Sequence, residues 1–229
     1  MTRSTNARVA GFTFLFYTAV GSTLHVLMNR ATNAEGTAAT LARIAAHASD
    51  VRVSVVLSLL ESFSALVLAV ALYGITRVED HELAMLALAC RVCEGVIGAA
   101  MGIPLKLGLL WLGTAGAGAP DAATVNALGA FLMMPVPSIP IGTVFFAAGS
   151  TLFSYLLLRG RMVPGPLAWF GVLASVLLVA VLPLQLAGFV KGAWYLWIPM
   201  AVFQVVLALW LLIRGVAPRQ QLDEPVVVE

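Results

Sequence analysis

Charge is what this sequence has least of. Only 10% of its 229 residues are Asp, Glu, Lys or Arg, against about 25% in an ordinary water-soluble domain. Water is therefore excluded as the solvent for most of the chain. Cysteine is nearly as scarce, with two residues, which excludes a disulfide framework and a four-ligand zinc site. Histidine occurs three times, as His25, His47 and His81, too far apart in sequence for any metal-ligand spacing. The sequence DHE at residues 80–82 lacks the second histidine that a metalloprotease helix needs, and it reads as a solvated turn. No glycine-rich phosphate loop and no nucleophile elbow is present. No metal and no cofactor is expected. A net charge of +2 is too small to argue for nucleic acid.

What fills the chain instead is apolar. Hydrophobic residues make up 61% and mean hydropathy is +0.98. Several runs reach the roughly 20 residues that a helix needs to cross a bilayer core. A transmembrane barrel would alternate apolar and polar residues in segments of about 10, whereas these runs are continuous. The fold class is therefore all-α, a polytopic membrane bundle. Its six transmembrane helices are expected at about 9–28, 53–76, 83–112, 139–158, 165–186 and 193–213. The first run follows Arg3 and Arg8 as a signal peptide would. It is longer than the usual apolar core of about 7–15 residues and no A-x-A cleavage site follows, so it is read as a retained helix. One domain is expected, with a short acidic tail over 217–229 that reads as disordered.

Arginine and lysine in the connections set the orientation. Arg3, Arg8, Arg77, Arg159, Arg161, Arg214 and Arg219 fall on one side, and Arg30, Arg43, Arg52 and Lys191 on the other. This bias predicts both termini in the cytoplasm. The two outer connections are long. The first holds TAATLARIAAHA, an Ala-rich helical run that either lies on the membrane surface or packs over the mouth of the bundle. The second runs through GTAGAGAPDAAT into 125–134 and then PVPSIP. Three prolines in six residues cannot continue an ordinary helix, so 125–137 is expected to be interfacial, with a re-entrant path as the alternative.

Span three is the odd one. LAMLALACRVCEGVIGAAMGIPLKLGLLWL carries Arg91, Glu94 and Lys106 inside apolar sequence, and it contains Cys90 and Cys93. Ionisable residues within a membrane segment are expensive and mark functional sites by default. Arg91 and Glu94 stand i, i+3 and can pair on one helix. Gly98 and Gly102 continue their stripe as a small-xxx-small pair that permits close helix approach. In span two Ser54, Ser58, Glu61 and Ser62 share a helical face. The antiparallel hairpin brings Glu61 about level with Gly98 at ~1.5 Å per residue, one turn from Glu94. Span one contributes Thr18, Gly21, Ser22 and His25, span four Thr143, Ala147, Ser150 and Ser154, and span six Gln204.

The candidate ligand or proton site is thus His25, Glu61, Arg91 and Glu94, with Ser58, Ser62 and Gln204 as weaker members. Two carboxylates against one guanidinium leave one acid in excess, which proton binding could use. The competing reading is a structural ion pair, with the extra carboxyl bonded to Ser58 or Ser62. Lys106, beyond Pro104 near the outer end of the span, is expected to snorkel. The Cys-x-x-Cys pair lies mid-helix and no second pair is present to shuttle electrons, so these cysteines read as packing residues.

RVAGFTFLFY, LYGITR, RVCEG, GTVFFAAGSTLFSYLLLRGRMVPGPLAWFGVL and ALWLLIRGV, in that order, resemble the prokaryotic multi-pass membrane proteins grouped as domain of unknown function 4386. The resemblance covers about 8–216, and the VFF…YLL…R…VP stretch is its most specific part. Its Arg-x-x-Glu falls on Arg91 and Glu94. Span six of such proteins often carries an acid where this chain has Gln204. The resemblance implies a bacterial inner-membrane protein and brings no activity with it. Function therefore stays open among three classes. The first is an integral membrane protein that binds or transports a small molecule or lipid in a polar cavity. The second is an intramembrane enzyme with Glu61 or Glu94 as acid or base, and no catalytic set is assigned. The third is a structural or partner-binding membrane protein. Partners beyond the lipid bilayer are a possible ligand and, through the small-residue faces, further copies of the chain.

Overall fold

The computed structural model describes residues 2–115, 120–133, 141–192 and 194–217. Eight α-helices occur among them: α1 Arg3–Thr32, α2 Thr37–Ala46, α3 Ala48–Thr76, α4 His81–Thr114, α5 Ala122–Leu132, α6 Gly142–Arg159, α7 Gly165–Leu186 and α8 Ile198–Ile213. Six are long and apolar enough to cross a membrane, the last as Tyr195–Ile213 with the 3₁₀ turn Trp194–Trp197 leading into it. The six expected spans are all present. α1, α3 and α4 run beyond the hydropathy limits, and the starts of α1 and α4 are set by side-chain caps. Thr2 accepts from the Thr5 amide ahead of α1, and Asp80 accepts from the Leu83 amide ahead of α4. α4 continues unbroken through Pro104. PVPSIP and the tail from 218 onward lie outside the described residues.

The spanning helices are neighbours in the order α1, α3, α4, α6, α7, α8 and back to α1, a closed ring. Its interior is filled by large side chains from opposite sides, among them Phe14, Phe146, Phe153, Phe203, Leu178 and Leu211. Glycines set the closest approaches in the wall. A Cβ on Gly11 of α1 would lie 2.6 Å from the Leu212 amide nitrogen of α8. One on Gly142 would lie 3.1 Å from the Glu94 carbonyl oxygen of α4. Gly98, expected to serve this purpose, is exposed and has nothing within 4 Å of an added Cβ. The close contact on α4 instead comes from Gly142 across the interface.

The end bearing the termini is tied together by polar contacts. Arg159 at the close of α6 reaches Glu79 and Asp80 at the start of α4, each at 3.2 Å. The DHE turn is thus a clamp, though a half-exposed ion pair of this kind is worth at most about 1 kcal/mol. The Ala217 amide bonds to the Met162 carbonyl, holding the chain after α8 against the α6–α7 turn. At the opposite end α2 packs over the mouth, the second of its two expected placements. Leu41 and Ile44 join Ala31, Val51, Leu109, Leu110 and Leu112 in a separate apolar cluster, and Arg43 Nε donates to the Arg30 carbonyl at 2.6 Å. α5 lies beside α2 and α4 at that end.

The two halves of the ring differ in length. α1, α3 and α4 have 30, 29 and 34 residues, whereas α6, α7 and α8 have 18, 22 and 16. At about 1.5 Å per residue, α4 outruns α6 by roughly 24 Å, and since the start of α4 and the end of α6 meet at the Arg159 clamp, the excess lies at the α2/α5 end. α6 therefore begins deep in the bundle, beside Glu94.

The buried ion pair and its two cavities

Arg91 is the largest fully buried side chain, 1% exposed, and Glu94 one turn on is 9% exposed. Their approach is legible in the i, i+3 spacing, and Arg91 Nη1 lies 2.6 Å from Glu94 Oε2. This is a charge contact rather than an aligned hydrogen bond. Arg91 Nη1 and Nη2 and Glu94 Oε2 are buried with no hydrogen-bond partner among the described residues. Burying two ions costs several kcal/mol each, which a good contact offsets only in part. Aromatic faces supply more. The guanidinium carbon is 4.8 Å from the Phe146 ring centre and 5.6 Å from that of Tyr17, cation–π contacts worth up to about 2 kcal/mol when desolvated. Gly149 makes room for the arginine stem, since a Cβ there would lie 3.0 Å from Arg91 Cγ.

The second carboxylate oxygen of Glu94 is held from α1, where the Tyr17 hydroxyl donates to Oε1 at 2.9 Å. Tyr17 is a neighbour of the ion pair that the polar stripes of the sequence missed. The pattern that finds it is Ala7, Ala10, Phe14, Tyr17 and Gly21, the small and aromatic residues of α1 at helical spacing; the first three are fully or nearly fully buried. Gly21 matters for Glu61, because a Cβ there would sit 2.7 Å from Glu61 Oε1. Glu61 thus lies against the α1 backbone, within electrostatic range of Glu94 and of Lys106.

Lys106 departs from the expected snorkelling. Its ammonium donates to Ser58 Oγ of α3 at 2.7 Å, and it faces Glu61 rather than the rim. The physical reason is direction, since a helical side chain leans back toward its own N-terminus, here toward mid-bundle. Counted with it, two basic side chains, Arg91 and Lys106, lie near the two acids Glu61 and Glu94.

The serines of α3 are committed to their own helix. Ser54, Ser58 and Ser62 donate to the carbonyls of Asp50, Ser54 and Ser58, so none donates to Glu61. His25 is exposed on α1, two turns beyond Tyr17. Cys90 and Cys93 are free thiols, half-buried. Among the described residues no three His, Cys, Asp or Glu side chains cluster as a metal would require.

Two cavities flank the ion pair. On the α2/α5 side a recess of about 160 Å³ is lined by Glu94, Tyr17, Thr143, Gln204 and the rings of Phe146 and Trp197. Gln204, a weaker candidate from sequence, thus shares a wall with Glu94. On the side of the termini a smaller cavity of about 20 Å³ is lined by Arg91, Ser150 and Ser154 among apolar residues. That is space for a single water. Leu72, Leu157 and Leu207 are among its apolar lining residues. The face of α6 carrying Thr143, Ala147, Ser150 and Ser154 does turn inward, and it serves both cavities.

The sequence matches the family described as domain of unknown function (DUF4386) over residues 9–215. Comparison with curated proteins and with solved structures gives no match.

Proposed function

We propose, on the premise that this chain belongs to the family described as domain of unknown function (DUF4386), that it is an integral membrane protein whose interior recess binds a small polar molecule or a lipid head group. The observation that carries this reading is the 160 Å³ recess in the middle of the bundle, lined by Glu94 and Gln204 among aromatic rings. Ligand pockets are concave and mostly apolar, with a few polar groups that fix orientation. Here the rings of Tyr17, Phe146 and Trp197 supply the apolar wall, and Glu94, Gln204 and Thr143 the polar points.

Entry is from the end opposite the termini, the side on which the recess lies. The arginine bias toward the terminal end supports a reading with that end in the cytoplasm, and the family resemblance one in which the membrane is a bacterial inner membrane. A reporter fused after Arg214 is active in the cytoplasm under this reading, and periplasmic activity overturns the orientation. For the site itself, thermal-shift screening of polar small molecules and head groups compares the native protein with Gln204→Ala. A hit whose stabilisation drops about tenfold in apparent affinity in the variant supports the recess. Hits indifferent to Gln204 and Glu94 alike refute it.

A further inference from the structure

Helix α5, AATVNALGAFL, holds no Asp, Glu, Lys or Arg, and the 100° or so between successive residues sorts its side chains onto three unlike flanks. Val125, Gly129, Leu132 and the following Met133 face the bundle. Val125, Leu132 and Met133 pack on the apolar cluster of Leu41, Ile44 and Leu110. Gly129 permits the approach to α2, since a Cβ there would lie 2.8 Å from Thr37 Cγ2 and 3.0 Å from Leu41 Cδ1. Leu132 reaches α4, where its Cδ1 lies 3.2 Å from the place a Cβ on Gly108 would take. Beside this face stand Leu128 and Phe131, one turn apart, 43% and 67% exposed. Ala123, Asn126 and Ala130 form the third flank, small, partly polar and exposed. We propose that the flank of Leu128 and Phe131 is a lipid-binding surface seated in the bilayer leaflet opposite the termini, and that α5 thereby anchors α2 over the mouth of the bundle.

Depth and continuity identify lipid as the occupant. At about 1.5 Å per residue, Gly108 stands roughly 40 Å from His81 at the start of α4. A bilayer measures about 40–45 Å with its head groups included, so with the Arg159 clamp at one surface, Gly108 lies in the head-group layer of the other. Trp111, one turn farther along α4, is 51% exposed, and tryptophan is enriched in that layer. Leu105 and Leu107 of α4, 40% and 47% exposed, carry the lipid-facing surface of this span up to the point where α5 rests. A helix with one apolar flank and one polar flank lies in the plane of such an interface. Asp121, exposed at the N-cap of α5, keeps that end of the helix in water, as Asn126 does its third flank. α2 has no comparable hold of its own on lipid. Its outward residues Ala38, Ala42 and Arg43 are small or charged, and it meets the membrane through α5.

A nitroxide scan of the full chain in vesicles of phosphatidylethanolamine and phosphatidylglycerol tests the surface. In a background of Cys90→Ser and Cys93→Ser, single cysteines are placed by Leu128→Cys, Phe131→Cys, Asn126→Cys or Ala130→Cys and spin-labelled. Relaxation by oxygen, which partitions into lipid, is compared with relaxation by a water-soluble nickel chelate. The expected result is that labels at 128 and 131 are open to oxygen and shielded from nickel, and that the label at 126 shows the reverse. Nickel access at 131 equal to that at 126 puts the flank in water and overturns the proposal. Shielding of 128 and 131 from both reagents means that protein covers them, a second copy of the chain for instance, and overturns it as well. A lipid signature at all four positions, 126 included, describes a helix sunk into the membrane and overturns the three-flank arrangement. For the anchoring, Leu128→Ser with Phe131→Ser should speed amide exchange in α2 about tenfold in vesicles and leave α7 unchanged. Faster exchange in α5 alone, with α2 unmoved, overturns the anchoring of α2.

Discussion

Removing Arg91 while keeping Glu94 strands a buried carboxylate, and the structure sets the size of the effect. Glu94 keeps the Tyr17 hydroxyl at 2.9 Å but loses the charge 2.6 Å from its other oxygen. Breaking one side of a buried ion pair costs about 3–5 kcal/mol. Arg91→Met keeps most of the side-chain volume, so cavity formation adds little. At roughly 2–4 °C per kcal/mol for a chain of this size, the midpoint of unfolding in detergent should fall by about 6–20 °C. Glu94→Gln should cost less, because a neutral amide still accepts from Tyr17. The double variant should recover most of the loss, since replacing both partners of a buried pair is often close to neutral. The assay is a thermal double-mutant cycle on the native protein, two single variants and the double variant. A loss below about 0.5 kcal/mol for Arg91→Met, or a double variant that shows the simple sum of the singles, would refute the argument that this pair is energetically coupled and dry.

Other expectations follow from packing and caps. Gly11→Ala places a Cβ 2.6 Å from the Leu212 backbone and should destabilise by about 1–3 kcal/mol, whereas Gly98→Ala meets nothing and should be neutral; parallel melting curves compare them. Cys90→Ser and Cys93→Ser, singly or together, should leave stability and ligand response unchanged with or without oxidant, and an oxidant-dependent shift lost in the variants would contradict a packing role. Asp121 caps α5, accepting from the Thr124 amide and hydroxyl, and these bonds hold its carboxyl below the ordinary aspartate value. A depressed folded value stabilises above the unfolded value and is lost as pH falls through the folded one. Amide exchange in α5 should therefore speed up below about pH 4, and Asp121→Ala should show the faster exchange at all pH values.

The span count was legible because hydropathy registers length against a bilayer, and the Arg91–Glu94 pair because both residues ride on one helix. Glu61 near Glu94 was also legible, since a hairpin fixes relative depth. What crosses the ring was not. Tyr17, Phe146 and Trp197 meet Arg91 and Glu94 through helix order around the ring, which no local spacing encodes. The serine stripe of α3 was visible but misleading, because a hydroxyl in a helix has a carbonyl of its own within reach one turn back. Lys106 looked like a rim residue because distance along a helix was counted at the Cα, whereas its long stem leans back about a turn.

The unequal halves of the ring bear on the lipid around it. α6, at 18 residues, measures about 27 Å at 1.5 Å per residue, less than the roughly 30 Å of a typical hydrocarbon core, whereas the sixth span, Tyr195–Ile213, comes close to that thickness. α3 and α4 exceed it. A bilayer meeting a short helix at one place and long ones elsewhere would thin at the first and thicken, or tilt the protein, at the second. Thinning at α6 would bring phosphates and waters toward the start of that helix, beside the recess. A thicker bilayer would then hold the polar layer farther from Gln204 and Glu94, and a thinner one would bring it nearer to them.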